Sequence, residues 1–456
     1  MENASKKLGF WSIVLLTINS IIGSGIFLSP GSVVAKSGKY APVVYLCAAV
    51  FAAVLAITFA AAAKYVSKGG AAYAYTKAAF GDGLGSYIGI TRYFSASIAW
   101  GVMATGVVKT VLNIMGKDSG NLTSITIGFI VLMGILFIIN IFGTKFLAFV
   151  SNLSTIAKLL ALVTAIVAGF LIVLFAGQNN FSQIDTISAD VYAGLNTSSF
   201  VMAVIAAFYA FTGFESVASG SEDMEKPEKN LPIAIPFAIL IIAFIYIGIV
   251  VVAMMIDPVA IVQTKEVVAL VAVFNNPIIK AVILYGSLIS MFGINVAASF
   301  HTPRILEAMA KQNQVPQALA KRSANGFPVL ATVVTAVIAI VLPIAFKYNM
   351  GSIMIISSIA RFAQFVVVPL ALITFFYGKQ KQEIVATAKK NFFTDVIIPV
   401  VALLLTVLLL AKFNWVGQFT LSDGSVNVLA VISMIVGYAV VPCALALYNK
   451  KYQANK

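Results

Sequence analysis

The chain has 456 residues, of which 61% are apolar and only 10% are charged, and its mean hydropathy is +1.00. A soluble globular protein is about 45–50% apolar and about 25% charged, so this composition excludes an ordinary water-soluble domain. The formal net charge of +14 does not indicate a nucleic-acid partner. The basic residues lie in short segments between apolar runs, where they orient membrane proteins. The composition therefore predicts a polytopic membrane protein.

Twelve apolar segments follow one another along the chain, and each is predicted to cross the lipid bilayer as an α-helix. About 20 apolar residues span the hydrocarbon core as a helix, and the runs are continuously apolar, which favours helices over a barrel. The predicted spans are residues 10–34, 42–63, 84–114, 125–142, 146–176, 197–222, 232–256, 278–309, 328–347, 352–378, 394–412 and 427–448. A short surface helix is predicted over 257–275. The predicted fold class is all-α.

The distribution of Lys and Arg predicts a multi-pass cell-membrane protein with both termini in the cytoplasm. With the N-terminus inside, most of the 30 basic residues fall in cytoplasmic segments, as expected for membrane proteins. The predicted organisation is a cytoplasmic N-terminus (1–9), helices 1–5 (10–176), an extracellular loop (177–196), helices 6–10 (197–378), a cytoplasmic loop (379–393), helices 11 and 12 (394–448) and a cytoplasmic C-terminus (449–456). Three basic residues lie within or beside apolar spans: Arg92, Lys158 and Arg361.

Two of the predicted spans carry glycines at mid-depth. Gly23 and Gly25 flank Ser24 in the first span, and Gly213 lies in the sixth, two residues before Glu215. A glycine weakens a helix by about 1 kcal/mol relative to alanine, and interrupted spans in corresponding positions of two halves are typical of inverted-repeat transporters. Close helix packing through small residues explains the first pair of glycines equally well.

Unwinding at both positions would create a binding site for a zwitterion. The start of a half-helix exposes N–H groups that together carry roughly half a positive charge, and the end of a half-helix exposes carbonyls of opposite sign. We predict that the carboxylate of an α-amino acid binds the N–H groups of residues 24–26. Its ammonium is predicted to bind carbonyls near Tyr209, Ala210 and Thr212.

Three sequence motifs stand at or just after the two glycine sites. They are IIGSGIF followed by LSPG (residues 21–31), AFTGFES (residues 210–216) and SEDMEKPEKNLPIAI (residues 221–235). With them the chain resembles the amino acid–polyamine–organocation superfamily over nearly its whole length, and is similar to L-type amino acid transporters and bacterial proton-coupled amino acid permeases. The resemblance implies the leucine-transporter-like fold, in which twelve transmembrane helices form a five-plus-five inverted repeat with two peripheral helices.

The resemblance also implies roles for individual residues. Tyr209 takes the place of an aromatic gate that closes over the substrate from outside, Ile294 falls where related arginine antiporters carry tryptophan, and Ser357 lies near the side-chain pocket. The predicted substrate-binding residues are Ile22, Gly23, Ser24, Gly25, Ile26, Tyr209, Ala210, Thr212, Ile294 and Ser357. Ser287 and Ser290 occupy hydroxyl positions of the eighth span that help to hold a cation in sodium-coupled relatives.

Lys158 lies in the middle of the fifth predicted span. Either end of the span is about 18 Å away at the helical rise of about 1.5 Å per residue, further than a snorkelling lysine reaches. In proton-coupled or exchanging relatives a lysine ammonium takes the place of the sodium ion, so the resemblance implies sodium-independent transport. Burial disfavours the charged form of a lysine, and Lys158 is predicted to be either the coupling proton site or a permanent positive strut.

Glu215 and Arg361 are both predicted to lie inside the helical bundle. An ion pair between them would reduce the cost of burying each charge, and proton sensing by Glu215 is the alternative. The predicted coupling residues are Lys158, Glu215, Ser287 and Ser290. His301, the sole histidine, is predicted to be structural.

The predicted function is secondary active transport of small neutral amino acids by alternating access, without sodium, coupled to a proton or to a counter-transported amino acid. A polyamine or cationic amino acid permease is the alternative, and it is disfavoured because Glu215 is the one acid expected inside the membrane. The sequence has no apparent nucleophile–base pair, metal-ligand cluster or phosphate loop. We therefore predict neither an enzyme nor a cofactor or metal. A channel is a further alternative, which saturable and stereoselective uptake would exclude.

Overall fold

Helices form the regular secondary structure of the described residues, apart from an isolated bridge between Thr420 and Val426. The computed structural model describes residues 9–66, 71–141, 144–187, 195–218, 224–264, 268–323, 327–385, 388–421 and 423–454. The first ten helices are α1 (Phe10–Ile21), α2 (Gly25–Ser37), α3 (Ala41–Ala63), α4 (Ala72–Phe80), α5 (Asp82–Ile114), α6 (Leu122–Ile141), α7 (Thr144–Phe175), α8 (Thr197–Phe211), α9 (Phe214–Ala218) and α10 (Pro227–Ile256).

The second half of the chain continues the helical pattern. Its helices are α11 (Pro258–Gln263), α12 (Ala269–Val273), α13 (Pro277–Lys311), α14 (Val329–Ala345), α15 (Met350–Ile359), α16 (Phe362–Phe376), α17 (Ile398–Lys412), α18 (Trp415–Gln418), α19 (Val428–Ile435) and α20 (Val441–Ala454). Short 3-10 helices lie at Gly38–Tyr40, Phe181–Thr186 and Gln317–Ala320, and π-helical turns lie at Phe393–Ile397 and Val436–Val440.

Nine helical segments of the described residues are long and apolar enough to cross a membrane. Their outward faces are apolar: only 28% of the most apolar window of Leu153–Phe175 is buried inside the protein, and Phe244 is 73% exposed. Water would not tolerate so much contiguous apolar surface, whereas lipid does. The protein is therefore a multi-pass membrane protein, as the composition predicted.

Three of the predicted spans each consist of two helices with a break between them. Spans 10–34 and 197–222 break at the predicted glycines, and the end of the second, residues 219–223, lies outside the described residues. Span 352–378 was expected to be continuous, but it divides into α15 and α16. The Tyr438 hydroxyl donates to the Ala360 carbonyl, one of the backbone groups that the end of α15 leaves without an intrahelical partner, and no sequence pattern near Ala360 indicates this contact.

The predicted surface helix over 257–275 is wrong in both length and position. The chain forms two short helices there, α11 and α12, and Lys265 with Glu266 lies outside the described residues. Ile261 and Leu270 are buried, and the Ile261 carbonyl lies 3.2 Å from where a Cβ on Gly31 of α2 would be. Apolar side chains at these positions draw the segment onto the bundle, because burying them in the protein is favourable.

Small residues allow the long helices around the breaks to approach closely. A Cβ on Gly286 of α13 would lie 2.9 Å from the Ala157 carbonyl of α7, and one on Gly293 would lie 2.1 Å from the Ser154 Cβ. Such contacts between small residues are the usual means of helix association in membranes. They hold α7 and α13 firmly beside the first break.

Candidate functional site

The first break leaves a short stretch of N–H groups without helical partners. The helix α1 ends at Ile21, residues 22–24 are not helical, and α2 begins at Gly25. Among the described residues, no backbone carbonyl accepts from the N–H groups of residues 23–26. A helix start presents its first N–H groups in this way, together with the positive end of the helix dipole. The arrangement is suited to binding an anion.

The second break lies against the first. Gly213 has a φ of +123°, and a Cβ on it would lie 2.5 Å from the Ser20 carbonyl, so a larger residue does not fit. The Ser20 hydroxyl donates to the Gly213 carbonyl at 3.0 Å. A Cβ on Gly25 would lie 2.4 Å from the Ala210 Cα. The glycines therefore serve a close crossing of the two broken helices as well as the breaks themselves.

Two of the predicted carbonyl acceptors already have donors inside the protein. The Tyr209 carbonyl accepts from the Thr212 hydroxyl at 2.8 Å and from the Thr212 N–H at 3.3 Å. The Ala210 carbonyl accepts from the Tyr246 hydroxyl at 3.2 Å. Because a carbonyl oxygen has two lone pairs, Ala210 retains an acceptor position in this conformation, whereas Tyr209 does not.

Lys158 holds the end of the first half-helix. Its ammonium donates to the Asn19 carbonyl at 2.9 Å and to the Ile22 carbonyl at 2.8 Å, and the residue is only 3% exposed. The last carbonyls of a helix lack intrahelical partners and carry its negative dipole end, so a buried cation is stabilised there. The neighbouring Thr155 hydroxyl donates to the Asn19 side chain at 2.8 Å.

The serines of α13 take different roles. The Ser287 hydroxyl donates within its own helix, to the Leu284 carbonyl at 2.8 Å. The Ser290 hydroxyl is buried and has no partner among the described residues, while its carbonyl accepts from the Ser154 hydroxyl at 3.1 Å. In α15, the buried Ser357 hydroxyl likewise finds no partner in the described part of the chain.

Glu215 and Arg361 form the predicted ion pair. The Arg361 Nε lies 3.1 Å from the Glu215 Oε1, with both side chains largely buried. The Glu215 Oε2 accepts from the Gly213 N–H at 2.9 Å, so the carboxylate also caps the start of α9. Arg92 of α5 interacts electrostatically with both partners. The sequence placed Arg92 in the membrane without indicating this role.

Glu215 is not the only acid buried in the predicted spans, contrary to expectation. Asp395, near the start of the eleventh span, pairs with Lys64 at 2.6 Å and accepts from the Tyr65 hydroxyl at 2.6 Å. Glu307, near the end of the eighth, pairs with Arg322 at 2.6 Å. Both acids lie at the ends of their spans, where long basic side chains from neighbouring loops reach them.

A cavity of about 820 Å³ lies on one side of the breaks. It extends to Tyr73 and Gln312, at the end of the bundle where α3 joins α4 and α13 ends. The charged residues that line it are Arg92, Lys158, Glu215, Arg304 and Arg361. Among the described residues, four cations and one carboxylate line the cavity, so this part of its wall is electropositive.

The cavity is lined by only some of the predicted substrate-binding and coupling residues. Ile294, Lys158 and Glu215 line it, whereas residues 22–26 with Tyr209, Ala210, Thr212 and Ser357 do not. Ile294 lies at the boundary, because its Cδ1 is 2.7 Å from the position of a Cβ on Gly23. The Ser24 and Tyr209 hydroxyls lie 3.4 Å apart on the far side. In this conformation the unpaired N–H groups of residues 23–26 are buried and do not line the cavity.

A separate pocket of about 480 Å³ lies at the opposite end of the bundle. It is lined by residues at the start of three helices and at the end of α2, among them Asn196, Asn349, Asn414 and Lys36. The two broken helices therefore stand between two openings, and the larger opening reaches closer to them. The fold and this site together define a membrane transporter.

Comparison with known proteins identifies the family. Residues 8–441 match the amino acid permease family, so the chain belongs to it and is not an enzyme. An uncharacterized transporter of Mycobacterium tuberculosis is 39% identical over 98% of this chain and 95% of its own length. The serine/threonine exchanger SteT of Bacillus subtilis is 31% identical over 68% of this chain and 69% of its own length. The branched-chain amino acid permease BcaP of the same organism is 24% identical over 70% of each chain.

Proposed function

We propose that the protein is a secondary active transporter of small neutral amino acids that works by alternating access. The observation that carries the proposal is the contact between two broken helices, one of which presents the unpaired N–H groups of residues 23–26. These groups suit the carboxylate common to all amino acids. The carbonyl of Ala210, which keeps an acceptor position, suits the ammonium.

The proposed architecture has twelve spans, ten of which form a five-plus-five inverted repeat. In it the broken α1–α2 and α8–α9 are the first helices of the two repeats, α7 and the broken α15–α16 are the last, and the helices from α17 onward are peripheral. With both termini in the cytoplasm, the cavity that reaches Tyr73 and Gln312 opens to the cytoplasm. The conformation is then an inward-facing one.

The environment of Lys158 supports transport without sodium. Its ammonium already binds the Asn19 and Ile22 carbonyls, which are the kind of oxygen ligands that a sodium ion would need. A second cation beside this ammonium would be strongly repelled. Amino acid uptake is then coupled either to a proton, carried by Lys158 or Glu215, or to the exit of a counter-transported amino acid.

The charge of the cavity disfavours the polyamine and cationic amino acid alternative. Such substrates carry at least one positive charge in excess. They would have to pass the described part of the cavity wall, which has four cations and one carboxylate. Like charges in a low-dielectric site repel by several kcal/mol. A zwitterion avoids most of this penalty, because its carboxylate is attracted while its ammonium is repelled.

Transport by the purified protein in liposomes tests the proposal. Uptake of L-serine, L-threonine, L-leucine, L-arginine and putrescine would be measured with and without a pH gradient, with and without internal amino acid, and in sodium or choline. We expect saturable, stereoselective uptake of at least one neutral amino acid that does not change with sodium. Uptake restricted to arginine or putrescine, or conductance far above carrier turnover, would contradict the proposal.

A further inference from the structure

We propose that the cavity contains a second amino acid site, distinct from the N–H groups of residues 23–26, at the first turn of α16. Arg361 and Gln364 form it, and it takes an α-amino acid zwitterion on the way between the breaks and the cytoplasm. The class of ligand rests on the proposed function. The site itself goes beyond that function, because transport through the breaks does not require it.

Two unpaired polar atoms of opposite kind stand on this turn. The Arg361 Nε is engaged by Glu215, but its buried Nη1 has no partner among the described residues. Gln364 is 3% exposed, and its buried Oε1 also finds no partner there. Both residues line the cavity. Arg361 immediately precedes the first residue of α16 and Gln364 lies three residues further on, so the donor and the acceptor belong to one helical turn.

The chemistry of the two atoms selects the ligand. A guanidinium N–H forms a short, charge-assisted hydrogen bond with a carboxylate, and an amide oxygen accepts from an ammonium. Each buried polar atom left unpaired destabilises the protein. A ligand that carries a carboxylate and an ammonium a few ångströms apart satisfies both, and an α-amino acid is the smallest common molecule of that kind.

The surrounding charges orient such a ligand. Arg92 and Arg304 line the same cavity, and they attract a carboxylate and repel a second positive charge. Glu215 offsets only part of this field, because it is already shared with Arg361. The site therefore favours neutral and acidic amino acids over lysine or arginine.

Ile294 separates this site from the N–H groups of the first break. Its side chain lines the cavity and also covers Gly23, so the N–H groups of residues 23–26 lie behind it. A substrate released from the breaks towards the cytoplasm would pass Ile294 and meet Arg361 and Gln364 next. The second site would hold the amino acid while the first is empty.

Binding stoichiometry distinguishes two sites from one. The purified protein in detergent would be dialysed to equilibrium against radiolabelled L-serine and L-leucine, and the variants compared would be Gln364→Met, Arg361→Lys and Gly25→Val. Gln364→Met removes the acceptor and keeps the side-chain size, and Arg361→Lys keeps a cation beside Glu215 while removing Nη1. Arg322→Lys, at an ion pair outside the cavity, is the matched control.

We expect two molecules bound per wild-type chain for the probe that is transported. Gln364→Met and Arg361→Lys should each lower the affinity of one site by about tenfold, equivalent to about 1.4 kcal/mol, while Gly25→Val should abolish the other site. Arg322→Lys should bind like the wild type. A stoichiometry of one that Gln364→Met and Arg361→Lys leave unchanged would overturn the second site.

The second site and the proposed function fail in different ways. If the wild-type protein transports L-serine or L-leucine but binds a single molecule, only the second site is wrong. If it transports no amino acid, the proposed function is wrong. Because Gln364→Met breaks no contact that the structure shows, its folding can be verified by size-exclusion chromatography and its result remains decisive even if Arg361→Lys is unstable.

Discussion

Three charged side chains inside the bundle each contact a break in a helix. Lys158 binds the carbonyls that end α1, Glu215 caps the start of α9, and Arg361 stands between α15 and α16. A broken helix leaves backbone groups and a dipole end inside the membrane, which is unfavourable unless partners satisfy them. The charges therefore stabilise the breaks before any part they play in transport.

Lys158→Ala tests which of its two roles this lysine has. The change leaves the Asn19 and Ile22 carbonyls without their donor, at a cost of about 1–3 kcal/mol. If Lys158 carries the coupling proton, the variant should lose accumulation driven by a pH gradient and keep exchange of internal for external amino acid. If Lys158 is a strut, proton-driven accumulation and exchange should both decrease. Both modes are measured in liposomes.

Lys117→Ala, in the exposed turn after α5, is the control for that experiment and should transport like the wild type. Sodium-stimulated uptake by the wild-type protein would refute both roles, since the ammonium occupies the carbonyls that would bind the ion.

Gly25→Val should abolish amino acid binding. The new Cβ would lie 2.4 Å from the Ala210 Cα, so the two broken helices must move apart and the N–H groups lose their position. Because the contact is with backbone, we also expect a lower melting temperature. Gly134→Val in α6, where no atom of the described residues lies within 4 Å of the new Cβ, is the matched control. Amino acid binding and melting temperature are measured for both variants. Unchanged affinity in Gly25→Val would show that the substrate carboxylate does not bind at this position.

At the scale of whole helices, the pairing of α2 with α8 decides whether the site can close. The Ser24 hydroxyl and the Tyr209 hydroxyl lie 3.4 Å apart, and Tyr209 is almost fully buried. Tyr209 therefore lies beside the first break, with its hydroxyl against Ser24. This position is compatible with the predicted gate.

Tyr209→Ala should reduce transport far more than binding. Removing the ring leaves the carboxylate site intact but opens a path towards the smaller pocket, so the two sides are no longer alternately sealed. Tyr209→Phe keeps the ring and loses only the weak contact with Ser24, and we expect nearly normal uptake from it. Uptake and equilibrium binding are compared in the same preparations. Wild-type transport by Tyr209→Ala would show that the ring only packs.

The ion pair between α9 and α16 should contribute strongly to stability. Glu215→Ala leaves Arg361 buried without its partner, which destabilises a protein by about 3–5 kcal/mol. The paired change Glu215→Gln with Arg361→Gln should recover part of that loss, because neither charge is then left alone. Thermal unfolding in detergent measures each variant.

The control for the ion pair is Asp185→Ala, which breaks an exposed pair with Lys39 at 3.8 Å. Exposed pairs contribute about 0–1 kcal/mol, so its melting temperature should barely change. An equal decrease in melting temperature in Glu215→Ala and Asp185→Ala would show that the buried ion pair stabilises the protein no more than an exposed one.

For the whole molecule, the cavity and the smaller pocket should face opposite sides of the membrane. A cysteine introduced at Ala297, which lines the cavity, should react with a membrane-impermeant thiol reagent from the cytoplasmic side, and one at Ser198, which lines the smaller pocket, from outside. The natural Cys47 and Cys443 are first replaced by serine. Labelling is compared in right-side-out and inside-out vesicles. The reversed pattern would invert the proposed orientation.

The sequence alone established the class of protein and indicated where the two principal breaks lie. Apolar content and run length determine that the chain lies in lipid, and both are local properties. The weakness of a helix at Gly23, Gly25 and Gly213 is also local, since it follows from the backbone freedom of glycine. These predictions needed no knowledge of which helices meet.

The tertiary structure decided which groups meet. The ammonium of Lys158 binds a carbonyl 136 residues away, the Tyr438 hydroxyl binds the Ala360 carbonyl at the break of the tenth span, and Ile294 covers Gly23. The charges and prolines of segment 257–275 favour a surface position. The sequence does not show which helices bury Ile261 and Leu270. Contacts of this kind depend on the packing of distant helices, and hydrogen bonds and close packing act over only a few ångströms. A pattern along the chain can therefore locate a break in a helix, but only the folded arrangement determines what holds that break and what can reach it.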